Sequence, residues 1–287
     1  NETGAQAFER LSEADKRRIL GAKYEAYRRG EITLADVVGT RHSEDWGDTI
    51  YEKSARALGV TAENQALPGQ KAQPETPDPV QVSGPTPVSR AIDLKTTEPG
   101  VARAFEIIDG VHGDGRLPTI PVEAYQAMPP GVLGAYHAVE PHWIKIRSYA
   151  NDFVNTTIHE VGHFLDQHGL GDGAIEASEM ASRRGIGPLA KWWEAASRSE
   201  AIVEAMELLD RVRLLQIPDA VKVLEYRLDP AEIWARSYNQ YVVRRSGETD
   251  VLANLQQGKR DILGVEQWTS EDFEDIETAI DEVMRSL

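Results

Sequence analysis

The sequence predicts an α+β, helix-rich domain with a short antiparallel sheet, preceded by a small N-terminal helical appendage. Three observations carry this. Between Pro68 and Pro87, six of the chain's fifteen prolines are interleaved with Gln, Thr, Ser and Gly, a composition that runs extended and solvated and divides the chain. Two β-type runs face each other across Glu140-Pro141-His142. Beyond them the apolar residues recur almost wholly at helical spacing. The expected division is a helical segment over 1–62, a Pro-rich linker over 63–90 and the main domain over 91–287.

The N-terminal segment places Phe8 and Leu11, then Ile19, Leu20, Tyr24 and Tyr27, at helical spacing. Ser12-Glu13-Ala14-Asp15 resembles a capping box, Gly30 stops the helix, and Ile32 to Val38 suggests a short further one. Trp46 and Tyr51 supply aromatic packing. Read from its residues alone, this is a three-helix appendage without chemistry. The main domain opens with a helix carrying Val101, Phe105 and Ile108, followed by a turn-rich stretch from Gly110 to Pro121. Tyr136-His137-Ala138-Val139 and Trp143-Ile144-Lys145-Ile146-Arg147 then read as a hairpin, the second run alternating apolar and basic residues as a half-buried or edge strand would. Helices are expected over Asn151 to His168, Pro188 to Trp193, Glu200 to Leu215, Asp229 to Val243 and Glu271 to Leu287. In the last, acid-rich one, Phe273, Ile276, Ile280 and Val283 turn inward and the acids form a solvated face.

Composition removes several classes of function. The formal charge of −16 disfavours nucleic acid as a partner, because a phosphate backbone gains nothing from an anionic surface. Residues 1–60 hold 10 Lys and Arg against 11 Asp and Glu, so nearly all of that charge lies beyond them. No apolar run approaches the ~20 residues that cross a bilayer, and Asn1 to Arg10 lacks the order of a signal peptide. The chain does not begin with Met, which fits a fragment or processed product and leaves its compartment open. With no cysteine, a transition metal must be bound by His, Asp, Glu or water.

The chemistry is expected on the helix carrying His159-Glu160-Val161-Gly162-His163. Val154, Ile158, Val161 and Leu165 make its buried stripe, and two histidines four residues apart project from one face, one turn apart, where both imidazoles reach one ion. Glu160 lies beside them without being a ligand, where a general base for water belongs. Gly162 leaves room for another helix or a substrate backbone. The plain alternative is a pair of ordinary histidines on an amphipathic helix. A catalytic ion needs a third protein ligand. Position 169 is Gly, which excludes a histidine six residues on; His168 falls off register and reads as solvent-facing; Asp166 suits a hydrogen bond to a ligand imidazole better than ligation. Glu232 follows an Asp229-Pro230 helix start and has a rigid base, with Ala235 small enough for close helix packing. Its plain alternative is a capping box with Arg236 as a surface partner, and Glu176, Glu179 and Glu204 compete with it.

Two resemblances add to this reading. "IHEVGHFLD" followed by "YRLDPAEIWARSYNQYV" is similar to zincins of the gluzincin type, nearest the anthrax lethal factor-like group. The resemblance covers roughly residues 130–245 and departs from the family in Ile233 and in the long insert from Leu170 to Leu224. It implies a zinc metallopeptidase with His159, His163 and Glu232 as metal ligands and Glu160 as general base. It also implies Tyr226, with Tyr238 as rival, as the donor to the oxyanion, and an extended peptide substrate lying along Trp143 to Arg147. Separately, "RILGAKYEAYRRGEITLADVV" and "WGDTIYEKSARAL", within Leu11 to Leu58, resemble the C-terminal end of Mu F-like phage minor head proteins. That implies a virion-associated or bacterial cytoplasmic setting, with phage capsid or portal proteins as partners. The alternative is a non-catalytic structural or interaction module of a virion.

Overall fold

The computed structural model describes residues 87–113, 117–126, 128, 132–148, 152–258 and 267–286, together with residues 28 and 29. The helical segment expected over 1–62 and the linker up to residue 86 otherwise lie outside the described residues. The stretch expected to end the linker, Val88–Ala91, forms a 3-10 turn with Val88 and Ala91 in the core.

Strand β1 (Ile92–Leu94) leads into helix α1 (Pro99–Val111), which has Pro99 at its first position, where a fixed φ and a missing N–H cost nothing. Val101, Phe105 and Ile108 are buried, as their spacing predicts. Strands β2 (Ile120–Tyr125), β3 (Gly134–His137) and β4 (Trp143–Arg147) follow. The expected hairpin forms: β3 and β4 pair antiparallel, with Tyr136 opposite Ile144. The sheet, however, is mixed rather than antiparallel. Its order is β1-β2-β4-β3, and β1 with β2 and β2 with β4 run parallel. The missed strands are a three-residue β1 and a β2 whose Pro121 made its start read as turn. Ile120, Val122, Ile144 and Ile146 form the sheet's buried face, in one core with α1 and the helices beyond.

A further correction concerns the edge. Strand β4 lies between β2 and β3, so its basic residues face outward from the sheet's surface: Lys145 pairs with Glu123 at 3.3 Å and lies 4.4 Å from the ring centres of Tyr125 and Trp143. The edge on this side is β3.

The remainder is helical. Helix α2 (Phe153–Phe164) continues as a π-helical stretch, Leu165–Leu170, and is followed by α3 (Ala177–Arg184), α4 (Ala190–Arg198), α5 (Glu200–Leu214) and α6 (Pro218–Arg227). Then come α7 (Pro230–Ser246), α8 (Thr249–Gly258) and α9 (Glu274–Ser286). The segment read as an insert is thus largely helix. None of the described helices is long and apolar enough to cross a membrane. Helix α7 is central, packing on α1, α2, α3, α8 and α9. Phe273, just before α9, and Ile276, Ile280 and Val283 on it turn inward as expected. Its acids are not all solvated: Glu277 and Asp281 are buried and pair with the buried Arg245, Glu277 also with the half-buried Arg244, and the Tyr241 hydroxyl donates to Asp281 at 2.9 Å. Charges this deep persist because each has an opposite partner.

Behind α2, the fully enclosed His112 lies 2.8 Å by its Nε2 from the Tyr238 hydroxyl, and burial pushes its imidazole down to about 4. A histidine whose folded value lies below its unfolded one stabilises the fold above the unfolded value and loses that contribution as pH falls through the folded one. Between pH 6.5 and 4 this group is expected to withdraw about 3 kcal/mol. Denaturant titrations of the wild type and His112→Gln across that window test this; equal pH slopes in the two would contradict it.

Candidate metal centre

Two helix starts place the functional groups. Asp152 caps α2 by accepting from the Asn155 amide at 3.0 Å, and Asp229 caps α7 by accepting from the Ala231 amide at 3.0 Å. His159 and His163 then share one face of α2, rings edge to face with centres 4.9 Å apart. Glu232, in the first turn of α7, meets both. Its Oε2 lies 3.4 Å from His159 Nε2 and its Oε1 lies 3.3 Å from His163 Nε2. Glu232 is therefore no capping-box residue. One ligand atom from each of the three lies within 4.8 Å of the others, and the group could hold a metal ion.

Close helix packing produces this arrangement. A Cβ placed on Gly162 would fall 3.0 Å from the Ala235 Cα and 3.0 Å from the Tyr238 ring, so the room left by the glycine is taken by α7 and not by a substrate. Trp234 Nε1 donates to the Gly162 carbonyl at 2.9 Å, and Trp192 packs edge-on against Trp234.

The electrostatics follow from burial and pairing. Burial opposes charge on His163, but the hydrogen bond and charge of Glu232, helped by Glu160 and Asp166, outweigh it and push the imidazole up to about 9. Burial likewise opposes charge on Glu232, yet its bonds to both histidines hold its carboxyl well below the usual range. Glu160 goes the other way: burial raises it, with His159 and His163 pulling back. The main-chain N–H of Tyr136 donates to the Glu160 carboxylate.

Tyr226 comes to the site from the last turn of α6. The residue as a whole is 60% exposed, but its hydroxyl turns inward to bond Glu232, and burial with the charges of Glu232 and Glu160 holds the phenol well above its usual range. Arg236, expected as a surface partner of Glu232, is buried. Its guanidinium donates to the main-chain carbonyls of Arg227 and Glu232, tying the end of α6 to α7 one residue after Tyr226. Tyr238, the rival, has its hydroxyl on His112.

The other residues weighed do not join the ligand group. Asp166 accepts from the Ser178 amide at 2.8 Å and hydroxyl at 2.5 Å, and reaches His163 through its charge alone. Glu176, at the start of α3, is half-buried within electrostatic reach of His163; Glu179 pairs with Arg183, and Glu204 lies on α5. His168 is not solvent-facing. The π-helical turn swings it against Phe164 and edge-on to His142, ring centres 4.6 Å apart.

Three contributors went unread in the sequence. They are Tyr136, Gln167, which bonds its hydroxyl, and Gly134, where an added Cβ would come 2.6 Å from Glu160 Oε1. A glycine inside a strand was the available signal, since it often marks a close approach.

Comparison with known protein families, curated proteins and solved structures finds no match to this chain. The zincin and minor-head resemblances rest on the residues quoted for them.

Adding one methyl group at the helix contact tests whether it sets the ligand geometry. Gly162→Ala is expected to weaken metal binding about 10- to 100-fold in chelator competition, the range typical when support around a ligand set is lost. Unchanged affinity would mean that the helices can part without opening the group.

Proposed function

We propose that the chain is a zinc-dependent endopeptidase, and the observation that carries this reading is the convergence of His159, His163 and Glu232 with Glu160 at their side. The donor set supports zinc. A structural or catalytic zinc site takes imidazole nitrogens and carboxylate oxygens, and here one such atom from each of the three residues lies within 4.8 Å of the others. Two imidazoles with one carboxylate also suit that metal. When bound, zinc supplies a Lewis acid that polarises a carbonyl and acidifies water.

The chain's own residues supply the rest. Glu160, made more basic by burial, takes a proton from the attacking water as its oxygen bonds the carbonyl carbon. It then delivers that proton to the amine nitrogen as the C–N bond breaks. Tyr226, its hydroxyl on Glu232 and within the field of Glu160, donates to the oxyanion that develops on the former carbonyl. The peptide substrate is assigned to the edge strand β3, in place of β4, because only β3 pairs on one side and borders Glu160. The biological setting proposed is a phage-head-associated effector or processing protease, in a virion or a bacterial cytoplasm, resting on the N-terminal resemblance.

Metal analysis and peptide-library digestion of the wild type beside Glu160→Gln test the reading together. The expected result is one zinc per chain in both and a loss of cleavage of about 100-fold or more in the variant. Cleavage unaffected by the change would remove Glu160 as base. Stoichiometric zinc with no hydrolysis of any peptide would favour the structural module instead.

A further inference from the structure

The edge strand beside Glu160 is fixed from one side chain. Gln167, buried in the π-helical stretch, accepts a hydrogen bond from the Tyr136 hydroxyl at 2.6 Å and donates to the carbonyls of Ala138 at 3.0 Å and Gly173 at 2.8 Å. Its amide therefore spends both hydrogens and its oxygen on β3, the start of the hairpin turn and the loop before α3. The main-chain direction of β3 follows from its pairing. The Leu133 carbonyl accepts from the Arg147 N–H at 2.8 Å, so odd-numbered residues turn their main-chain groups to β4, and Gly134 and Tyr136 turn theirs to the open edge. At that edge Gly134 backs on the Glu160 carboxylate with no room for a Cβ, and the next outward amide, that of Tyr136, donates to it.

We propose, on the peptidase reading above, that Gln167 is a positioning residue: it clamps β3 onto α2 so that the Tyr136 N–H stays on the Glu160 carboxylate. The strand that would receive a peptide and the group that would act on it then hold a fixed relation. A peptide pairing along this edge meets one amide already engaged, and it is left the Gly134 main chain and the Tyr136 carbonyl. The register of the substrate against Glu160 is thereby restricted.

Amide hydrogen exchange on the zinc-loaded full chain reads the clamp without reference to activity. Gln167→Ala and, as a control, Glu160→Ala are expected to speed exchange of the Tyr136 amide about tenfold or more, with one zinc retained per chain in Gln167→Ala. Tyr136→Phe removes a single hydroxyl and leaves the ring on Phe164; it is expected to speed exchange about threefold and decides the matter if Gln167→Ala fails to fold. On a cleaved peptide, Gln167→Ala is expected to lower kcat about tenfold while KM changes less than about threefold, because the base and not the metal is displaced. Tyr136 exchange as slow in Gln167→Ala and Tyr136→Phe as in the wild type would overturn the proposal, as would an unchanged kcat. A wild type that cleaves no peptide would sink the peptidase reading and leave the exchange result to judge the clamp.

Discussion

Helices α2 and α7 meet at Gly162, and the rest of the site depends on that contact. Glu232 lies one turn nearer the start of α7 than Ala235, and His159 and His163 flank Gly162 on α2. The close approach of the two helices therefore also brings the ligand atoms together. Trp234 holds the contact with a hydrogen bond to the Gly162 carbonyl. Tyr238 braces it from behind through His112, at the end of α1. One helix end also favours the charge it carries: Glu232 is in the first turn of α7, where a carboxylate is stabilised. A single close approach thus fixes a geometry and an electrostatic polarity together.

Burial would suppress charge on every group in this cleft, and pairing decides which group escapes. Glu232 has two imidazoles within 3.4 Å and stays anionic far below the usual range. Glu160, on the adjoining turn, has only a main-chain N–H on its carboxylate and their more distant charge, and it moves upward. Two carboxylates side by side are thereby driven apart, one suited to hold a cation and the other to exchange protons, a division of labour that recurs at catalytic sites.

The parts legible in the sequence were those with local causes. The stripe of Ile158, Val161 and Leu165, the Asp229-Pro230 helix start and the i, i+4 histidines each act within one helix, and each appears where its spacing puts it. The hairpin was legible for the same reason. What stayed hidden is set by tertiary partners. Strand β2 reads as turn at Pro121, yet forms because β1 and β4 flank it, and that neighbour moves the open edge from β4 to β3. Arg236 at i+4 from Glu232 looks like a surface pair, but the end of α6 arrives to use it. A pattern read along one element cannot show which other element comes to meet it.

The π-helical stretch is the clearest case. Within Leu165 to Leu170 the polar Asp166 and Gln167 are buried beside Leu165 and Leu170. The wider turn buries both, aiming Asp166 at Ser178 on α3 and Gln167 at β3 and the loop before α3. Two hydrogen-bonded polar side chains satisfy the interior demand that every buried polar atom find a partner, which repays the poorer backbone geometry of the wide turn. The helix that carries the histidines is anchored in this way to both neighbours just past His163. Departures from regular helix often fall at functional sites because the site needs side chains that a regular register would turn away.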